Sequence, residues 1–441
     1  MSAPLRIGMF VGLFPAVSET FILRQIAGLL EAGQQVDIYA DLRGEEGALL
    51  QPEVTRHRLL ERTTFMDMPP ECAPYELPVW PWTSDTWVPG AEQPVANWKR
   101  LARALPRMAR CFMRAPLCAA RCLSTPQYGY RARSLSALHR LDTLLRQQHS
   151  YDVLHAHFGP VGESFRFARE LWQAPFLVSF HGYDFCTIPR REGRDVYQRL
   201  FAAADQITVN SAYTQGELER LQCPVQKLYR LPVGLDSREF EFRPRAPSGP
   251  VRFITVARLV EIKGHEYCLR ALAQVRAVHP NVYYDIVGDG PLRGKLEALS
   301  NDLGLTNCVR FHGAVGTETV RSLLQQAHLF MLCSVTVDGA QEGQGLALQE
   351  AQACGLPVIA TRHGALPEGL REGESGLLVP ERDVPALAQA MAELLRAPER
   401  WSVLGQRGRQ FVEERFDIRE LNRQLLTLYH QVIDEFRSRT H

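Results

Sequence analysis

The chain has 441 residues, of which 45% are hydrophobic and 22% charged, with a formal net charge of +1. That is ordinary globular composition in a chain too long for one core, and two or three domains are expected. A charge so near zero gives no support for nucleic acid or acidic substrates as partners, and ten scattered cysteines without a C-x-x-C pair argue against a zinc site and for a reducing compartment.

The opening MSAPLRIGMFVGLFPAVSETF predicts a strand over 6–14 that runs into a helix, not a signal peptide. No uninterrupted apolar run approaches about 20 residues, so no membrane-spanning helix is expected and the location is read as cytosolic. Short β-rich runs follow at 35–40, 153–157, 176–180 and 206–209, then at 252–256, 282–287, 329–333 and 357–361. They alternate with helical patterns, which predicts an α/β protein with parallel sheets covered by helices on both faces. The Pro- and Arg-rich stretch SREFEFRPRAPSGP at 237–250 reads as a linker. It separates an N-terminal domain, 1–237, from a C-terminal domain, 250–412. Residues 413–441 are expected to form a helix packing back on the N-terminal domain.

An insertion over about 70–134 breaks the alternation. It carries Trp80, Trp82 and Trp87 among several prolines, and from Pro94 to Leu141 it holds no acidic residue. Lys99, Arg100, Arg103, Arg107, Arg110, Arg114 and Arg121 accumulate there, while Trp98, Leu101, Leu105, Met108 and Phe112 recur at spacings of three and four. An apolar stripe beside a basic face results, with a kink or break expected at Pro106. Two readings use the same residues. One is a core-facing helix with a solvated basic side, the other an interfacial helix over 98–121 docking on anionic lipid.

Candidate chemistry lies at predicted strand ends. Arg258 and Lys263 fall in the loop after the strand 252–256, where open α/β sheets bind ligands. A guanidinium and an ammonium in one such loop suit a diphosphate. In DGAQEGQGLALQEAQACGLPV, at 338–358, Gly343 and Gly345 sit where a loop turns into a helix, a geometry that lets backbone N–H groups approach phosphate. Glu342 is placed in the loop and Glu350 about two turns into the helix, where the two carboxylates suit sugar hydroxyls at two points of one ligand. Gly288 opens another glycine-rich loop, and the absence of G-x-x-x-x-G-K-[ST] disfavours a P-loop enzyme. In the first half His181 ends the strand 176–180, placed to bond a substrate hydroxyl or steady transition-state charge. His155 and His157 share one face of a strand; they mimic a metal pair without a third ligand and are read as structural.

Together these blocks resemble the family-4 retaining glycosyltransferases over nearly the whole chain. The residues that carry the resemblance are HAHFG at 155–159, SFHGYDF at 179–185, VNSAYT at 209–214 and LPVGLD at 231–236. VARLVEIKGH at 256–265, IVGDGPL at 286–292, VRFHGAV at 309–315 and Glu342-x7-Glu350 followed by ACGLPVIAT continue it. SETFILRQIAGL at 18–29 looks like the branch that builds exopolysaccharides of the colanic-acid type. The resemblance implies a GT-B fold, two Rossmann-like domains with parallel sheets facing across a cleft, donor on the C-terminal side and acceptor on the N-terminal one. By position, Arg258 and Lys263 would bind the donor diphosphate, Glu350 the ribose and Glu342 the sugar. The amides near Gln344–Leu346 would complete the phosphate cradle, Gly288 and Gly12 would line the donor site, and Phe311 would lie near the base. His181 would reach the donor sugar from the other domain. Relatives open with a Gly-Gly turn after the first strand; here only Gly12 matches, and Ser18 and Glu19 are assigned to acceptor instead.

The expected activity is transfer of a sugar from a UDP- or GDP-sugar to a glycan or polyprenyl-diphosphate-linked acceptor, in exopolysaccharide or other surface-polysaccharide synthesis. No cofactor and no divalent metal are expected, since no D-x-D-type motif stands out. Two rival readings are a sugar-nucleotide epimerase and a non-catalytic nucleotide- or glycan-binding module. A dehydrogenase is disfavoured because no strand precedes a full G-x-G-x-x-G.

Overall fold

The computed structural model describes residues 3–16, 19–44, 51–66, 97–147, 149–246 and 249–440. Trp80, Trp82, Trp87 and Ser18 lie outside these, as do the side chains of Trp98, Lys99, Arg100, Leu101 and Arg103. The chain forms two compact units: Met1–Val209, Glu217–Arg230 and Asn422–His441 make the first, Asn210–Gly216 and Leu231–Leu421 the second.

The first unit is built on seven strands: β1 (Arg6–Phe14), β2 (Gln35–Arg43), β3 (Thr63–Phe65), β4 (Val153–His157), β5 (Phe176–Phe180), β6 (Gln206–Val209) and β7 (Leu228–Arg230). They pair in parallel in the order β3-β2-β1-β4-β5-β6-β7. β4 and β5 are buried at every residue, as a strand covered on both faces must be. An aromatic cluster fills the space beside β1: the ring of Phe10 lies 4.7 Å from Phe165 and 5.3 Å from Tyr39. The sheet order turns back at β1, whose neighbours are β2 on one side and β4 on the other. The helix Ile418–Thr440 contributes its residues from Asn422 onward to this unit. Gly28 admits it closely, since a Cβ there would sit 2.0 Å from the Asn422 amide.

The helix Asn97–Arg114 runs unbroken through Pro106, and its facing corrects the core-facing reading. Ala104 and Cys111 are buried, and Arg107 and Arg110 turn inward to Asp142, which Arg146 also engages at 2.7 Å. Burial raises the Asp142 carboxyl, but these guanidinium hydrogen bonds outweigh it and hold the group below its ordinary value. Of the apolar stripe, Leu105 and Phe112 are exposed and Met108 is half-buried; Met113 and Leu117 are also exposed, at 78% and 75%. One buried carboxylate that requires cations decides the rotation of this helix against its hydrophobic pattern.

The second unit has six strands: β8 (Val251–Val256), β9 (Val282–Val287), β10 (Val309–Gly313), β11 (Leu329–Leu332), β12 (Val358–Thr361) and β13 (Gly376–Val379). All pair in parallel in the order β10-β9-β8-β11-β12-β13, with one apolar cluster including Phe253, Ile286 and Trp401 and another including Ile254, Phe330 and Leu348. The order turns back at β8. The Pro- and Arg-rich stretch read as a linker belongs to this unit, where Arg245 is buried and its guanidinium donates to the carbonyls of Leu324, Gln325 and Cys354. Among the described residues no helix is long and apolar enough to cross a membrane.

Candidate active site

In an open parallel sheet the loops on either side of the turning-back point splay apart at the carboxyl ends, leaving a crevice. In the second unit those loops follow β8 and β11, and they carry the residues singled out above. The β8 loop runs through Arg258 into the short turn Glu261–Lys263 and the helix His265–Arg276. Gly264 permits it: at φ +65°, a Cβ there would stand 1.9 Å from the carbonyl oxygen of Cys333, so only glycine lets the β8 loop press on the β11 loop. Lys263 Nζ forms a half-buried ion pair with Glu342 Oε1, which also accepts from Ser334 Oγ at 3.0 Å.

Burial pushes the Glu342 carboxyl up, and the Lys263 ammonium more than offsets it, leaving the group below its ordinary value and ionised. Arg258 is held down to about 10 by burial, against the charge of Glu342, and stays cationic at neutral pH. Its carbonyl accepts from His265 Nε2 at 3.0 Å; burial lowers His265 to about 4, so this anchor is neutral. The crevice edge therefore holds two cations and one carboxylate, a net positive charge.

Gly345 precedes the helix Leu346–Ala353, of which Leu346 is the first residue. Its N-terminal N–H groups and dipole favour an anion. Glu350 is the fifth residue of that helix and half-buried, little more than one turn in rather than two. Gly343 is buried. The Gln344 side chain is already engaged, exchanging two 2.7 Å hydrogen bonds with the backbone of Val233. Gly288 follows β9 and donates to the carbonyl of Gly313 at 2.9 Å, while Phe311 lies half-buried in β10 against the core. The structure thus brings Lys263 and Glu342 into contact, with Arg258 near enough to feel the Glu342 charge, and Gly343–Leu346 and Glu350 follow in the same chain segment.

Four residues of this site escaped the sequence reading: Ser334, Thr336, His363 and Glu381. Their signal was positional. Ser334, His363 and Glu381 each stand two residues beyond their strand, β11, β12 and β13 in turn, where the same rule that found Arg258 would have found them.

In the first unit the turning-back point lies between β1 and β4. Gly12 does not lie in the following loop. The β1–β2 pairing continues to Phe14 opposite Arg43, so Gly12 is a strand residue and the loop starts at Pro15. His181 follows β5 and packs its ring 4.7 Å from Phe21 and 4.8 Å from Phe158. His157 Nδ1 meets His181 Nε2 at 3.0 Å, and His155 stacks on His157 at 4.6 Å. Both nitrogens of His155 are engaged, by Tyr429 at 2.6 Å and Ser179 at 2.7 Å, which makes it a structural residue and not a ligand. Burial lowers His155 and His181 to about 3 and His157 further below its ordinary value, so the stack is uncharged.

Asp184 closes the His181 loop, accepting from the N–H groups of Gly182 at 2.7 Å, His181 at 3.2 Å and Gly159 at 3.3 Å. Burial nevertheless raises it to about 6. Glu19, immediately before the helix Thr20–Glu31, is raised to about 8 by burial and by the charge of Asp184.

Comparison with known proteins bears on both units. Residues 98–239 match the family model described as Glycosyltransferase Family 4, and residues 236–411 the one described as Glycosyl transferases group 1. WcaL of Escherichia coli K12, named as a proposed glycosyltransferase of colanic acid biosynthesis, is 31% identical over 96% of this chain and 99% of its own. AmsK of Erwinia amylovora, named as an amylovoran biosynthesis glycosyltransferase, is 29% identical over 88% of this chain and 90% of its own. Among solved structures, Anabaena HepE in complex with UDP superposes with a TM-score of 0.68 at 16% identity, covering 97% of this chain and 100% of that one.

Proposed function

Since the chain belongs to the group 1 and family 4 glycosyltransferases, we propose that it moves a sugar from a nucleoside diphosphate, with retention at the anomeric carbon, onto a glycan or polyprenyl-diphosphate-linked acceptor in surface-polysaccharide synthesis. The observation that carries this reading is the pairing of Lys263 with Glu342 beside Arg258 at the turning-back point of the second unit. A net positive crevice edge beside a helix N-terminus suits a diphosphate leaving group. Glu350 takes the ribose hydroxyls, Glu342 a sugar hydroxyl and Phe311 the base. His181, neutral and backed by His157, offers a hydrogen bond to a sugar hydroxyl.

In the proposed step the acceptor hydroxyl attacks the anomeric carbon from the face the diphosphate leaves. The carbon–phosphate-oxygen bond breaks as the glycosidic bond forms, and the hydroxyl proton passes to a phosphate oxygen. Glu342 is ion-paired with Lys263 and accepts from Ser334, which suits a binding group better than a nucleophile. Arg258 and Lys263 take the charge-neutralising work that a divalent cation does elsewhere, so turnover is expected to survive chelation. UDP-, GDP- and ADP-sugars, offered in turn, test this by nucleotide release. Release from one donor, cut at least about tenfold in Glu350→Ala, is expected; equal release by the variant removes the donor-site assignment.

Naming WcaL and AmsK for exopolysaccharides supports a lipid-linked acceptor, and the helix Asn97–Arg114 supports a place at the inner membrane face. Its outward side presents Leu105, Phe112 and Met113, continued by Leu117, within a segment rich in Lys and Arg and free of acid. Arg107 and Arg110 are engaged by Asp142, so the apolar patch, with the exposed Arg114 beside it, is what would meet the lipid. Cosedimentation with anionic liposomes at low salt is expected; retention in the supernatant removes the membrane reading.

A further inference from the structure

Glu342 is gripped at its backbone as well as at its carboxylate. Its N–H donates to His363 Nε2 at 3.0 Å, and its carbonyl accepts from the N–H of Ala365 at 3.0 Å. Gly364 lies between, at φ +49°, where a Cβ would be 2.4 Å from the Glu342 carbonyl oxygen. The loop after β12 thus closes on the Glu342 peptide from both sides.

The protonation state of His363 follows from its partners. An amide N–H only donates, so Nε2 must be the bare, accepting nitrogen. The ring proton then sits on Nδ1, 2.8 Å from Glu381 Oε1. Glu381 in turn accepts from the Thr336 N–H at 2.6 Å and the Thr336 hydroxyl at 3.0 Å, and Gln341 Nε2 reaches that hydroxyl at 2.9 Å. Burial raises Glu381, but the Thr336 N–H and His363 outweigh it and keep the carboxylate ionised. The His363 side chain is fully buried. A neutral imidazole with its tautomer fixed by a carboxylate, and its other nitrogen fixed on a functional residue, is a device for orientation.

We propose that His363, oriented by Glu381, is a positioning residue that holds Glu342 at the angle where its carboxylate meets the donor sugar. The proposal rests on the donor-sugar role of Glu342 given above. A loosened Glu342 weakens recognition of the sugar, whereas the nucleoside diphosphate, which Arg258 and the N-terminus of the helix Leu346–Ala353 also hold, loses much less.

The test compares His363→Ala, His363→Gln and His363→Asn with the parent, using the full chain and the nucleotide sugar that the donor panel identifies. Affinity for that sugar nucleotide and for its free nucleoside diphosphate are both measured, with donor KM and kcat. The amide of glutamine ends near the position of Nε2 and can still accept from the Glu342 N–H; that of asparagine cannot reach it. We expect His363→Ala and His363→Asn to lose donor kcat/KM by about tenfold or more, with free-nucleotide affinity within about twofold of the parent. His363→Gln should recover most of the loss.

Glu381→Gln, at a partly exposed position, should lose less in the same direction, and it serves should the His363 variants fail to fold. Unchanged donor kinetics in all variants, or a parallel fall in free-nucleotide affinity, overturns the proposal. Glu342→Gln is run alongside. If it is impaired while His363→Ala is not, positioning fails and the site reading stands; if neither is impaired, the site reading fails and takes the proposal with it.

Discussion

Both sheets turn back on themselves beside their first strand, β1 in one unit and β8 in the other, but the edges of the two crevices carry opposite electrostatics. In the second unit Lys263 pairs with the ionised Glu342 and Arg258 adds a further positive charge. In the first, three stacked imidazoles are kept neutral by burial, and Glu19 is held protonated up to about 8. The same topology has been fitted with a cationic edge in one case and, in the other, with neutral imidazoles backed by one carboxylate, Asp184, that backbone N–H groups occupy. The first suits a leaving diphosphate and the second uncharged hydroxyls. Fold places the loops, and side chains alone decide what each crevice takes.

Lys263→Ala is the strongest way to break this contrast. It leaves Glu342 a half-buried carboxylate without its ammonium, and losing one partner of such a pair costs about 2 kcal/mol. We expect a lowered melting temperature together with at least about a tenfold loss of turnover. Parent-like values for both would show that the ion pair neither stabilises the second unit nor serves the reaction.

Glu19→Gln sharpens the other side. A carboxyl raised from 4.5 to about 8 binds its proton more tightly in the folded state, so its contribution to stability is complete below about 4.5 and is lost as pH rises through about 8. The neutral histidines act oppositely and only below their ordinary value of 6.5. Asp184, raised from 3.8 to about 6, has also completed its change by then. Between pH 6.5 and 8, therefore, Glu19 dominates, and stability of the parent should fall by about 1 kcal/mol per pH unit. Melting curves across that window should flatten in Glu19→Gln; an equally steep fall would mean that Glu19 ionises normally.

Tyr429→Phe should have the smallest effect. It removes one buried hydrogen bond, to His155, and about 1 kcal/mol of stability, with turnover unchanged. A large loss of activity would move His155 from the scaffold into the reaction.

The sequence made the second crevice easier to read than the first. Arg258, Lys263, Glu342 and Glu350 are charged, close to strand ends and set among glycines, so ordinary periodicity locates them. His363 and Glu381 are as well placed, but their use depends on which loops close on Glu342, and that is decided by packing between segments far apart in sequence. The short strands β3 and β7 have three residues each, too few for a period to register. Gly12 lies inside β1, where the strand predicted over 6–14 also has it, so its match to the relatives' turn does not put it in a loop. For the helix Asn97–Arg114 the pattern left two readings open: hydrophobic periodicity marks a face but not what the face meets, and the ion pairs to Asp142, some thirty residues on, turn Arg107 and Arg110 inward.

The first unit is assembled from both ends of the chain, its helix from Asn422 onward packing Tyr429 onto His155. During synthesis, the second unit precedes that helix out of the ribosome. The second unit can close while the first still waits with β4 uncovered, although the first was begun earlier. Translation order and order of completion are thus reversed, and a stop codon placed just after Leu421 damages the unit that was begun first.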